Sequence, residues 1–240
     1  MLNAIKSEFT KILTLRATYI VSAVLVGLAA LVGFLLASIS SDGAASPEVL
    51  NSAVQTTFTL IIAIFSIVAS MVILNEYRHN TIAYTITSSR SRYEVFIAKV
   101  IAAVSYGMVV SFVVSAVAVL AATIGLAASG NSLSDQQFDI GGLLLHQGLH
   151  VFAYILVGLF LGFILRNIII LIVIVFVMPI LETASVLLLK DGVQYLPFAS
   201  FTMLSRIGDH IAEPANVLLA FLYLIGLGAL AFVLFIKRDA

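Results

Sequence analysis

Few side chains in this sequence can do chemistry, and those that can sit mostly inside long apolar runs. Glu182 is the one acid within such a run, three residues after Pro179. A carboxylate in hydrocarbon is costly and is a functional candidate by default. Two readings of Glu182 stand: a gate or substrate contact, or a structural hydrogen bond. Lys190, Arg206, His146 and His150 are its possible partners. His146 and His150 lie four apart on one helical face. With a carboxylate that spacing could hold a metal, but no third ligand is evident, so a hydrogen-bonded or interfacial pair is the other reading. Ser52, Gln55, Thr59, Ser66 and Ser70 fall within about 60° of arc at helical spacing. Such a stripe faces either a neighbouring helix, bridged by hydroxyls, or a pathway. Gly158 and Gly162 form a Gly-x-x-x-Gly pair that permits close helix approach.

Absent motifs narrow the chemistry. The dipeptide Gly-Lys does not occur, so no phosphate-cradling Gly-x-x-x-x-Gly-Lys-Ser/Thr loop is present. His-Glu-x-x-His and Gly-x-Ser-x-Gly are also missing. Gly208-Asp209-His210 superficially resembles a catalytic aspartate motif, but no matching second Asp accompanies it. The absence of cysteine removes thiolate catalysis, disulfides and cysteine metal sites. A gradient-driven carrier usually needs several embedded ionisable groups or paired broken helices. One Glu and one proline kink do not supply them.

The elements that position these residues follow from composition. The chain has 240 residues, of which 62% are hydrophobic and only 10% charged. Mean hydropathy is +1.17. That is too little charge for a solvated shell, which about a quarter of residues normally supply. Net charge is zero, so nucleic acid is not an expected partner. Six runs are long enough to span a bilayer, at 17–39, 52–74, 100–128, 143–165, 168–189 and 215–236. They do not alternate, so they read as helices and not as barrel strands. The expected fold is an all-α polytopic membrane protein, one domain over 1–240. The first run is too long for a typical cleaved leader and reads as an uncleaved span.

Lys and Arg set the orientation. Lys6, Lys11, Arg16, Arg78, Arg90, Arg92, Lys99, Arg166, Lys237 and Arg238 all fall on one side, which is therefore cytoplasmic with both termini. Only Lys190 and Arg206 lie on the other side, where Asp42, Glu48, Asp135, Asp139, Asp191, Asp209 and Glu213 collect.

Three segments between spans carry more than a connector needs. Leu2, Ile5, Phe9, Ile12 and Leu13 recur at helical spacing, with Lys6, Ser7, Thr10 and Lys11 between them. This predicts an amphipathic helix on the cytoplasmic membrane surface. Residues 75–99 form the largest cytoplasmic segment, with Asn80 placed to cap a short helix from Thr81. Its apolar Ile82, Tyr84 and Ile86 suit a docking surface. Residues 190–214 are too apolar for a plain outer loop and too short to span twice, so a shallow re-entrant hairpin is expected.

The cytoplasmic segment resembles that of the permease subunits of type-2 ABC exporters, the ABC-2 family. The family pattern is an acid near the end of span two, a small residue plus Thr, a short helix, a turn with Pro, an Arg, and a Lys at span three. Glu76, Asn80-Thr81, Arg92 and Lys99 match it, whereas Ser89 stands where many relatives have Pro. The N-terminal stretch SEFTKILTLRATYI is similar to the family's surface "elbow" helix, in a style resembling actinobacterial members. Tyr195-Leu196-Pro197-Phe198 is like the start of its external hairpin.

The resemblance implies a subunit of the bacterial cytoplasmic membrane that pairs with a second permease chain, as a homodimer. Two separate ATPase subunits would bind ATP and Mg, and this chain would carry no cofactor and no catalytic residue. Glu76, Asn80, Thr81, Ile82, Tyr84, Arg90, Arg92 and Lys99 would form the coupling segment docked on the ATPase. Ser52, Gln55, Thr59, Ser66 and Ser70 would line the pathway. Glu182, Tyr195, Pro197 and Phe198 would stand at the outer gate. A drug, antimicrobial peptide or lipid-like cargo is the expected substrate. The rival expectation is a stand-alone carrier, channel or intramembrane enzyme.

Overall fold

The computed structural model describes residues 1–39, 47–82, 84, 91–129, 140–206 and 214–238. Among them every regular element is helical. Helix α1 (Leu2–Thr14) is separated from α2 (Arg16–Ile39) by the extended backbone of Leu15. Four long helices follow: α3 (Pro47–Arg78), α4 (Arg92–Ala128), α5 (Ile140–Leu165) and α6 (Ile168–Ala184). A short helix α7 (Val186–Leu189), a 3₁₀ turn (Lys190–Tyr195), helix α8 (Pro197–Met203) and a second 3₁₀ turn (Leu204–Arg206) follow α6. Helix α9 (Pro214–Arg238) closes the chain.

Among the described residues, six helices are long and apolar enough to cross a membrane: Arg16–Ile39, Val49–Arg78, Arg92–Ala128, Ile140–Leu165, Ile168–Leu189 and Ala215–Lys237. They coincide with the six expected spans, and two run further. Helix α4 starts at Arg92, seven residues before Lys99, and α3 continues through Glu76 to Arg78. At 1.5 Å per residue α4 is about 55 Å long, well beyond about 30 Å of hydrocarbon. The connecting segment is correspondingly shorter than its polarity suggests, because charged residues near helix ends can reach water while the backbone stays helical.

Helices α3, α4 and α5 are the inner three; α2 packs along α4, and α3 along α5. Phe58, Phe65, Ile73, Ile155, Leu159 and Phe163 fill the interior. Close crossings rest on small residues. A Cβ on Gly158 would overlap the Ser66 backbone, and one on Gly162 would come within 2.8 Å of Ile73. At the α2–α4 crossing, a Cβ on Gly33 would meet the Ala118 carbonyl at 3.0 Å. In hydrocarbon, with little hydrophobic drive between helices, this backbone proximity is what dispersion and packing act through. Helix α6 presents Ile169, Ile170, Val173, Phe176, Ile180 and Leu181 outward.

Candidate functional site

At the basic end of the bundle, α1 lies against the start of α4 and the last turn of α3. Glu8, Lys11, Glu76 and Lys99 meet there as a closed quartet. Lys11 Nζ donates to Glu8 Oε1 at 2.7 Å and to Glu76 Oε1 at 2.7 Å. Lys99 Nζ donates to Glu8 Oε2 at 2.8 Å and to Glu76 Oε1 at 2.8 Å. Lys99 is fully buried, Glu8 and Glu76 nearly so. Two carboxylates and two ammonium groups cancel in charge, which is what lets them leave water together. Burial is the largest single influence on Lys11 and pulls its pKa down. The hydrogen bonds and charges of Glu76 and Glu8 together outweigh it, so the ammonium titrates above the usual lysine value. Glu76 Oε2 is buried and, among the described residues, has no hydrogen-bond partner.

Glu76 and Lys99 thus point inward at each other, held together by α1. Glu8 is the member that sequence reasoning missed. It sits between Ile5 and Ile12 on the buried side of α1, where the apolar spacing alone assigned the inward face to hydrophobic residues. The available signal was a lysine at the start of an apolar span needing more than one carboxylate.

Asn80 does not cap a helix start. Its φ of 54° is left-handed, a conformation Asn tolerates better than most non-glycine residues. The Asn80 amide donates to the Tyr77 carbonyl at 3.3 Å and the Thr81 amide to the Glu76 carbonyl at 2.9 Å. That pair is a Schellman termination of α3, so Asn80 ends a helix instead of beginning one. Thr81 is exposed, Ile82 packs on the core, and Tyr84 is 76% exposed. Arg90 and Ile86 lie outside the described residues. Ser91 caps α4, its Oγ accepting the Glu94 amide at 3.3 Å.

Arg92, expected at the docking surface, instead donates from Nη1 to the Ile236 carbonyl at 2.8 Å. It satisfies an unpaired acceptor in the last turn of α9, where the helix dipole favours a cation. One turn on, Phe96 meets Phe163 and Phe232 at centroid distances of 4.8 and 5.3 Å. Arg92 and Phe96 together fasten α9 to the inner helices. Arg166, with a left-handed φ of 53° in the α5–α6 turn, lies 4.7 Å from the Tyr77 ring centroid.

The polar stripe of α3 divides in two. Ser66 and Ser70 are fully buried against α5, and Ser66 Oγ donates to the Tyr154 carbonyl at 2.6 Å. These two pack within the chain, because the glycine pair of α5 brings that backbone onto them. Ser52 and Thr59 are exposed and return their hydroxyls to their own helix. Gln55 Nε2 donates to Ser205 Oγ at 3.3 Å. Gln55, His146, Gln147 and Ser205 border a small polar cavity of about 170 Å³. His150 is buried deeper, edge-on to Tyr154 at 5.3 Å. No group of three metal-ligating side chains occurs among the described residues.

At the opposite end of the bundle from the quartet, Glu182 reaches across to α8. Its carboxylate accepts the Phe198 amide at 3.3 Å and the Ala199 amide at 2.8 Å. Leu196, the residue preceding α8, has no capping side chain, and Pro197 has no N–H. Glu182 supplies the missing acceptor, so this contact has the character of the structural hydrogen bond. Tyr195 is half-exposed and its carbonyl accepts the Tyr223 hydroxyl at 2.8 Å; Phe198 is buried against Tyr154. Gly208-Asp209-His210 lies outside the described residues.

A search of curated proteins returns no match. The family model described as "ABC-2 family transporter protein" matches residues 4–182, from α1 through Glu182. That match covers well over half of a chain with six membrane-crossing helices, so the protein belongs to the ABC-2 family of transporters and is a multi-pass ABC transporter permease.

Proposed function

We propose that the chain is the transmembrane subunit of an ATP-driven exporter in a bacterial cytoplasmic membrane. Two copies pair, and two separate ATPase subunits, which bind ATP and Mg, seat the segment after Asn80. Closure of the ATPases moves that segment and shifts the permease pair between inward and outward access, the coupling free energy residing in contacts that differ between states. The cargo is amphipathic or apolar, since the spans offer almost no charge to a charged solute.

One observation carries the reading. The quartet of Glu8, Lys11, Glu76 and Lys99 joins both flanks of the docking segment to the surface helix. A push on that segment is therefore delivered to α1, α3 and α4 together instead of being absorbed in a loose loop. Tyr84, the exposed apolar side chain just beyond this frame, is the docking contact to test.

The experiment is co-expression with an adjacent ABC ATPase, followed by co-purification and ATPase assay in vesicles. The expected result is a stable complex whose ATP hydrolysis is tied to transport. Tyr84→Asp should uncouple hydrolysis from transport while leaving the chain's melting temperature unchanged. Transport by the purified chain alone, driven by an ion gradient without ATP, refutes the proposal.

A further inference from the structure

The small polar cavity at the end of the bundle opposite the quartet is unlike the rest of the interior. Asn51, Gln55, His146, Gln147 and Ser205 border it, and among the described residues Leu143 is the one apolar side chain that does. The polar groups are three amides, an imidazole and a hydroxyl, with no carboxylate, ammonium or guanidinium beside them. Asn51 and Gly142 are the third residues of their membrane-crossing segments, so the cavity lies at the depth of lipid headgroups. Its volume of about 170 Å³ holds several waters, or one small ring in their place. Ser205 Oγ accepts the Gln55 amide at 3.3 Å and donates to the Thr202 carbonyl at 2.7 Å, which fixes one wall. Gln147 is only 3% exposed, and its Oε1 is buried with no hydrogen-bond partner among the described residues. A half-turn of that amide exchanges its oxygen and NH₂ without changing its shape, so Gln147 can offer the cavity an acceptor or a pair of donors.

These groups select a ligand by exclusion and by fit. A charged solute would lose its water here and meet no opposite charge. An apolar one would strip water from the polar walls and return no hydrogen bond. A peptide would bring a side chain about every 3.5 Å, and Leu143 alone is there to receive one. A hydroxyl is donor and acceptor on a single atom, and neighbouring hydroxyls on a ring match the paired oxygen and NH₂ of a side-chain amide. Asn51, Gln55 and Gln147 supply such amides around one cavity. We propose that this cavity binds a neutral sugar ring, free at the membrane surface or carried as the head of a glycolipid. The three amides engage pairs of hydroxyls, while His146 and Ser205 take single ones. The site needs no ATPase and no transport, so it stands or falls apart from the exporter reading.

The test is native mass spectrometry of the full-length chain, released from a detergent without a sugar head. It is titrated with glucosyl-dioleoylglycerol, dioleoylglycerol or dioleoylphosphatidylglycerol. The glucosyl lipid should be retained about tenfold or more tightly than either other lipid, the factor two neutral hydrogen bonds provide. Excess methyl β-glucoside should displace it, which separates recognition of the sugar from binding of the tails. If methyl β-glucoside binds and the glucosyl lipid does not, the source is free sugar and the assignment of the cavity holds. Gln147→Leu keeps the side-chain volume and removes a buried amide, so it should lower the preference without lowering the melting temperature. Where that variant does not fold, Asn51→Leu, at an exposed position, decides. Equal retention of the three lipids with no binding of methyl β-glucoside overturns the proposal, as does an undiminished preference in either folded variant. N-acetyl-trialanine amide is the peptide control: if it binds and neither glucoside does, the cavity takes a peptide, and the sugar assignment is overturned.

Discussion

Replacing Glu8 by Gln in a chain that also carries Ile12→Cys isolates what the buried quartet contributes. The natural sequence has no cysteine, so the single introduced thiol, at a position only 3% exposed, becomes reactive only when α1 lifts away. Lys99 is fully buried with two carboxylates at 2.8 Å. Removing one leaves the quartet with a net positive charge, with Glu76 Oε1 still shared by both lysines and no second carboxylate to offset them. At an effective dielectric of about 20, one such contact is worth about 6 kcal/mol before relaxation. Local rearrangement and entering water reduce this toward the range of about 3–5 kcal/mol for losing one partner of a buried pair. Thiol labelling should then accelerate by about 100-fold or more. Adding Lys99→Met restores neutrality, leaving Lys11 with Glu76. Because an apolar replacement of a whole buried pair is often close to neutral, the double variant should label more slowly than Glu8→Gln alone. Additive effects of the two substitutions would refute the reasoning, since independent sites add and coupled ones do not.

Three further outcomes rest on contacts elsewhere in the fold. Gly158→Ala places a methyl group on the Ser66 backbone and should cost about 1–3 kcal/mol, read as a lower unfolding midpoint in mixed micelles; an unchanged midpoint would mean α3 and α5 do not cross there. Glu182→Ala removes the acceptor for the Phe198 and Ala199 amides, so hydrogen exchange at those amides should rise by the equivalent of about 1.5–3 kcal/mol, and undiminished protection counts against the capping role. Lys11 has a raised folded-state pKa, so its stabilising contribution is complete below the unfolded lysine value and fades as pH climbs through the raised one. Melting curves should therefore be flat through neutrality and fall in strongly alkaline solution, with the Lys11 share of that fall missing in Lys11→Met.

The spans were legible because twenty apolar residues in a row have few other fates, and α2 and α6 begin within a residue of where hydropathy places them. Side-chain partnerships were much less legible. Asn80 illustrates why: asparagine is favoured both before a helix, where its side chain caps, and after one, where it accepts a left-handed backbone. Only the amides of Asn80 and Thr81 turning back to Tyr77 and Glu76 decide between them. Ser66 and Ser70 pose the same difficulty, since a hydroxyl in a membrane helix looks alike whether it faces water or a neighbouring carbonyl. Their burial is written in another helix, at Gly158 and Gly162, and only the register of α3 against α5 joins the two signals. Glu8 was hidden by local pattern. The residues around it describe a lipid-facing helix, and nothing within thirteen residues reveals a lysine on α4.

The crossing at Ser66 also fixes a lever ratio. Ser66 is clamped to Gly158 and to the Tyr154 carbonyl, while α3 extends about 18 Å from it toward Arg78 and about 28 Å toward Pro47. A rigid rod pivoting at that point moves its long arm about one and a half times as far as its short arm. A tilt imposed near Glu76, about 15 Å from the pivot, would thus reappear in the opposite sense and at nearly equal amplitude at Gln55, about 16 Å beyond it, where α3 touches Ser205, and the pivot itself would scarcely shift.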